Sequence, residues 1–301
     1  NRTVYGFSVN AEVMSVVDNV PMARCAYSII LILIALGLVA PVVAQPAASG
    51  WIEEEKESRS VASGAGVDFR GGKVTLKLGI EHADKLAPVP NKLQVGSTFD
   101  EKRLASDFSS LKWYRIPKWL SGKWKRQNET IFFEHDFQTG QVSNSRRSVV
   151  SEQTADFGVQ LDKKGHVWHC NLATRGVSSQ GNMRTIALVE LQEPVRISSF
   201  EIVFKEVFTI LEVLDRGNII SKAHKVESLT RYRPVKNGLL ETSMSIKTYY
   251  QSGAPKNEQH NVSYDRVIKR FAPLNSYKGE DLKAGFIEFL KTTDRLDLIP
   301  D

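Results

Sequence analysis

The side chains with the best claim to chemistry sit together in His166-Val-Trp-His-Cys170, which gathers two imidazoles and the chain's second cysteine. Those are zinc-ligand types, but on an extended chain the period of two sends His166 and His169 to opposite faces, so one ion cannot readily take both. His135 lies between Glu134 and Asp136, as on an ordinary sheet edge. Cys170 reads as a small buried hydrophobe. Ser109-Ser-Leu-Lys112 has Ser-x-x-Lys spacing, yet no Ser-Asp-Asn or Lys-Thr-Gly accompanies it,. Gly-x-Ser-x-Gly, the P-loop and the dinucleotide fingerprint are also missing,. We therefore expect no catalytic residues, no metal ligands and no cofactor, and a protein that binds rather than turns over.

Elements that would position a binding site begin late in the chain. Met22-Ala-Arg-Cys precedes the apolar run "SIILILIALGLVAPVV", and Val42-Val-Ala44 supplies small residues before a cut at Gln45,. The run is shorter than the ~20 apolar residues a spanning helix needs. Residues 22–44 read as a signal peptide, residues 1–21 as an upstream segment outside the mature protein, and the destination as periplasm, thylakoid lumen or exterior. Removal of Cys25 would leave Cys170 alone, so no intramolecular disulfide is expected. Formal net charge is +6, which permits an anionic partner without demanding one,.

Residues 45–97, rich in Ser, Gly, Ala and Pro, read as a flexible tether,. Over 98–118 we expect a lead-in with a short helix, capped by Thr98 or Asp100, carrying Leu104, Phe108 and Leu111 on one face. From 119 to 275 strands are punctuated by "DKKG", "SSQGN", "DRGN", "VKNG" and "SGAPKN", which predicts a mainly β, antiparallel up-and-down barrel,. "SFEIVFKEVFTILEVL" is assigned to strand on its β-branched and aromatic content. In "LLETSMSIKTYY" the alternation places Leu240, Met244, Ile246 and Tyr250 on the inner face, and in "HNVSYDRVIKRF" it places Val262, Tyr264, Arg266 and Ile268 there,. An amphipathic helix over 276–301, striped by Leu282, Phe286, Phe289 and Leu290, is expected on the outside of the sheet.

Gly122-Lys-Trp124 entering the first strand, the inward Arg266 of the last strand and the helix that follows together resemble the lipocalins and the wider calycin superfamily. That resemblance implies a calycin-like barrel in which Gly122 and Trp124 close one end and Arg266 packs across the indole. It also implies a small apolar or amphipathic ligand, held here by Leu240, Met244, Ile246, Tyr250, Val262 and Tyr264. The chain departs from the family in lacking its disulfide and a Thr-Asp-Tyr motif. The "WYRIPKWLSGKW" run also looks like exported proteins of cyanobacteria, which implies a compartment and no chemistry.

The same region supports a second reading. Lys112, Trp113, Arg115, Lys118, Trp119 and Lys125 interleave cations with amphipathic rings, with no acidic residue between Phe108 and Asn128. Such a patch suits docking to an anionic membrane or protein complex. Nucleic acid is not expected as a partner of an exported chain.

Overall fold

The computed structural model describes residues 81–101 and 111–300. The upstream segment, the export signal, most of the tether and the body of the short helix after Thr98 lie outside the described residues. What is described is mainly β, 57% strand, and antiparallel.

Among the described residues, fourteen strands occur in chain order: β1 (Tyr114–Ile116), β2 (Gly122–Asp136), β3 (Val142–Ser143), β4 (Arg147–Phe157), β5 (Gln160–Leu161), β6 (Val167–His169), β7 (Arg175–Gln180), β8 (Met183–Ile197), β9 (Ile202–Leu214), β10 (Ile219–Lys236), β11 (Leu239–Tyr250), β12 (Pro255–Arg270), β13 (Ser276–Tyr277) and β14 (Glu280–Asp281). Helix α1 (Leu282–Thr292) follows. Strands β7 to β12 run as a continuous meander, β12 pairs with β2, and β2 pairs with β4. The last meander strand thus docks on the first long strand, as ring closure requires. Only a β4-to-β7 pairing is missing, and the sheet curls into a half-barrel.

The seam stays open because the intervening chain is used elsewhere. Residues 160–169 form β5 and β6, which join β1 in a separate three-stranded sheet. Helix α1 packs there, not on the outside of the large sheet as expected: Phe286 and Leu290 cluster with Trp113 and Trp168. Its N-cap is Asp281, whose carboxylate accepts from the Ala284 amide at 2.9 Å,.

The large sheet is buried on both faces over much of its area. On the inner face, one apolar cluster joins Ile116, Leu120, Trp124, Phe157, Phe204 and Leu240 at the end where β2 begins. A second joins Phe208, Ile210, Val226, Met244 and Ile246 towards the other end. The outer face is covered by residues 81–99, which include the end of the expected tether. His82 Nδ1 lies 2.9 Å from Glu227 Oε2 and Nε2 2.7 Å from Ser245 Oγ. The Leu86 amide donates to the Gly253 carbonyl at 3.0 Å and the Val89 amide to the Gln251 carbonyl at 2.8 Å. Phe99 enters a cluster with Leu211, Val213 and Ile220. Residues 81–97 therefore form a packed strap.

Candidate functional site

Gly122 opens β2 and pairs with Arg270 of β12. Its φ is +131°, and a Cβ there would lie 2.7 Å from the Lys269 carbonyl oxygen, so only glycine fits,. Two residues on, Trp124 is buried and its indole N–H donates to the Leu120 carbonyl at 2.7 Å. Both residues lie at the end of the half-barrel where β2 begins.

Arg266 does not join them. It is exposed on the outer face, with Lys125 as its register partner across β2. The phase of β12 is the reverse of the expected one: Asn261, Ser263 and Asp265 are buried, while Tyr264 and Ile268 are more than half exposed and Val262 is half-buried. The physical reason is the charged group that the inner row serves.

That group is Arg126. From Arg126, Nε reaches Asp265 Oδ1 at 3.0 Å and Nη2 reaches Oδ2 at 3.2 Å, and Asp265 also accepts from Thr242 and Ser263 at 2.9 Å each. Nη1 lies 3.6 Å from Glu129 Oε2. Three residues apart on a regular strand, Arg126 and Glu129 would face opposite ways; a bulge between Arg126 and Asn128 turns both inward,. Burial pushes the Glu129 carboxyl up, against the pull of Arg126. Between the two apolar clusters the interior therefore carries an ionic belt. Leu240, Met244 and Ile246 do line the inner face, but as members of those clusters. Tyr250 is half-buried near the far rim, where its hydroxyl donates to Gln138 at 2.9 Å.

A small cavity of about 20 Å³ opens at the seam, lined by His169, Cys170, Gln192, Phe204, Glu206 and Tyr232 among others. Burial pushes Glu206 up to about 7 and lowers His169 to about 4. The His169 ring accepts from the Gly158 amide through Nδ1 at 3.2 Å, so its proton sits on Nε2. The volume suffices for roughly one water.

A larger groove of about 520 Å³ lies outside, where β1 and β6 meet the β8–β9 turn. Trp113, Trp168, Ile116, Pro117 and Ile197 give it an apolar wall, Ser198 and Ser199 a polar edge, and Arg115 and Arg295 its charge. Among the described residues no acidic side chain lines it. The Arg295 guanidinium sits over the Trp168 ring at 5.2 Å from its centroid and over Phe289 at 5.7 Å,. Trp168 is fixed in turn by its indole N–H, which donates to Asp162 Oδ2 at 3.0 Å.

The expected Trp/Lys patch is divided by this arrangement. Lys112, Arg115 and Lys118 are exposed, but Trp113 is buried against Phe286, 4.9 Å between centroids, and half-buried Trp119 donates its N–H to the Ser199 carbonyl at 2.7 Å. Lys125 lies on β2, 3.5 Å from Glu152. Alternation puts the cations out and the rings in. Sequence reading counted Arg126 only among the basic residues of the Trp/Lys region, put Asp265 on the outer face, and gave Trp168 and Arg295 no role. Arg126 was within reach, since it shares a strand face with Trp124; Arg295 was not, because only the fold carries it to Trp168.

Among the described residues, no group of three or more His, Cys, Asp or Glu is placed to hold a metal ion, and no helix is long and apolar enough to cross a membrane. Comparison with protein-family models, curated proteins and solved structures finds no match. The fold and groove define a curled antiparallel β half-barrel, compatible with a calycin-like plan.

Proposed function

We propose that this protein binds a small amphipathic ligand with an anionic head, and that the groove beside β1 is its site. The observation that carries this is the pairing of two indoles with two guanidiniums in a groove of about 520 Å³ whose described lining has no acidic side chain. That size is in the usual range for small-ligand sites, which combine an apolar wall with a few placed polar groups. Arg115 and Arg295, the latter seated over buried Trp168, would hold a carboxylate or phosphate, while Ile197, Pro117 and the groove-facing edge of Trp113 would take the apolar body,. The half-barrel interior is a weaker candidate, because clustered side chains and the Arg126–Asp265 pair occupy it and the seam has room for about a water,.

The test is titration of the full chain with a long-chain fatty acid and with the alcohol of equal length, followed by tryptophan fluorescence and calorimetry. The acid should bind tighter, and Arg295→Ala should remove most of that preference while leaving alcohol binding nearly unchanged. Equal binding of acid and alcohol, or binding of neither, would reject the proposal.

A further inference from the structure

The end of the half-barrel next to the groove exposes apolar side chains that the strap does not cover. Phe200 is 60% exposed in the β8–β9 turn, with Val195 and Ile197 beside it at the end of β8. Val235 is 52% exposed before the β10–β11 turn. On β12, Tyr264 is 55% and Ile268 52% exposed. These positions belong to one rim, because the end of β8, the start of β9, the end of β10, the start of β11 and the end of β12 lie side by side in register.

Cations alternate with these side chains. Arg266, Lys269 and Arg270 are exposed on β12, and Lys236 is exposed beside Val235. Across the β2–β12 ladder, Arg266 faces Lys125 and Lys269 faces Lys123. Like charges directly opposite one another disfavour a sheet unless a counter-charge is supplied. Glu152 and Asp156 serve the two lysines from the β4 side, at 3.5 and 3.7 Å, and Glu241 lies 3.7 Å from Arg231. Arg196 is matched by Glu201 at 3.2 Å. The β12 cations remain in excess over the acids of this rim.

We infer that this rim docks on an anionic lipid bilayer, with Phe200, Ile197, Val235 and Ile268 entering the interface and Arg266, Lys269, Arg270 and Lys236 meeting lipid headgroups. Charge complementarity argues for an anionic surface. Aliphatic and aromatic tips set among cations, on two turns and a strand end, argue for a lipid interface over an acidic protein, whose binding needs no side chain to enter a hydrocarbon layer. The docking uses residues outside the groove lining apart from Ile197, and it stands whether or not the groove holds a ligand.

The test is hydrogen exchange of the full chain with phosphatidylcholine vesicles, with and without phosphatidylserine. Addition of phosphatidylserine should protect residues 195–200, 233–238 and 264–270, and salt should reverse the protection. Arg266→Gln/Lys269→Gln/Arg270→Gln should lower the phosphatidylserine-dependent affinity roughly a hundredfold, taking about fivefold per cation, with fatty-acid binding in the groove unchanged. Phe200→Ser should weaken vesicle binding even if the triple variant does not fold. Protection confined to other segments, equal protection on neutral vesicles, or capture by an acidic polypeptide with none on vesicles would overturn the inference.

Discussion

Arg126 grips both carboxylate oxygens of Asp265 across the inner face of the half-barrel, and the two residues are 3% and 4% exposed. Removing either partner would strand a buried charge, which costs about 3–5 kcal/mol. Arg126→Met and Asp265→Asn should each destabilise by that order in urea unfolding. The double variant should lose clearly less than the sum, and strict additivity would show that the pair is not coupled.

The seam cavity should shape stability against pH. Burial raises the Glu206 carboxyl from 4.5 to about 7, opposed by the hydrogen bond from Gln192. The folded chain then keeps a proton that the unfolded chain releases, so stability is full below 4.5 and declines as pH rises towards 7,. Glu206→Gln should therefore stabilise the protein by up to about 3 kcal/mol at pH ~8, and by little at pH ~4. His169 acts in the opposite sense: burial lowers it from 6.5 to about 4, so its contribution is full above 6.5 and fades as pH falls towards 4. Denaturant melts of Glu206→Gln and His169→Gln across this range should separate the two slopes.

The strap offers a local test. A Cβ on Gly253 would fall 1.9 Å from the Leu86 carbonyl oxygen, and φ there is +83°. Gly253→Ala should lift this part of the strap, seen as faster hydrogen exchange at the Leu86 and Val89 amides. His82→Ala should loosen the strap at Ala83, whose amide donates to Glu227 at 2.8 Å.

Acid should also release the strap, but only at low pH. Although burial raises the Glu227 carboxyl, hydrogen bonds from His82, Lys205 and the Ala83 amide outweigh this and bring it from 4.5 down to about 2. Its contribution is present above 4.5 and is lost as pH falls through about 2,. Glu227→Gln should thus weaken strap protection at neutral pH and flatten the loss on acidification.

Much of the fold was legible, because the turns carry their own chemistry. "DRGN", "VKNG" and "SGAPKN" span the joins between consecutive long strands, and the segment containing "IVFKEVFTILEVL" is β9, as its β-branched content implies. The phase of β12 was not legible. Alternation assigns apolar residues inward, but here Tyr264 and Ile268 face solvent because the inner row is committed to Arg126 through Asp265. A polar interior inverts the usual pattern, and nothing within β12 itself announces a guanidinium 139 residues earlier. The groove was half legible: Trp113 and Arg115 stood out by type, whereas Trp168 and Arg295 join them only through the small sheet and α1.

The pairing of β2 with β12 also bears on how the chain reaches its native state. Strand β2 is the first long strand of the large sheet and β12 the last, so their ladder joins segments far apart in sequence. Such pairing is slow, since the entropy of loop closure must be met before any contact repays it. The β7–β12 meander can assemble from neighbours, but Trp124 and Arg126 must wait for Val267 and Asp265 to be made and delivered. During synthesis β2 and β4 would stand as an isolated hairpin with the β2 edge unpaired, and the large sheet would be completed only after its final strand emerges.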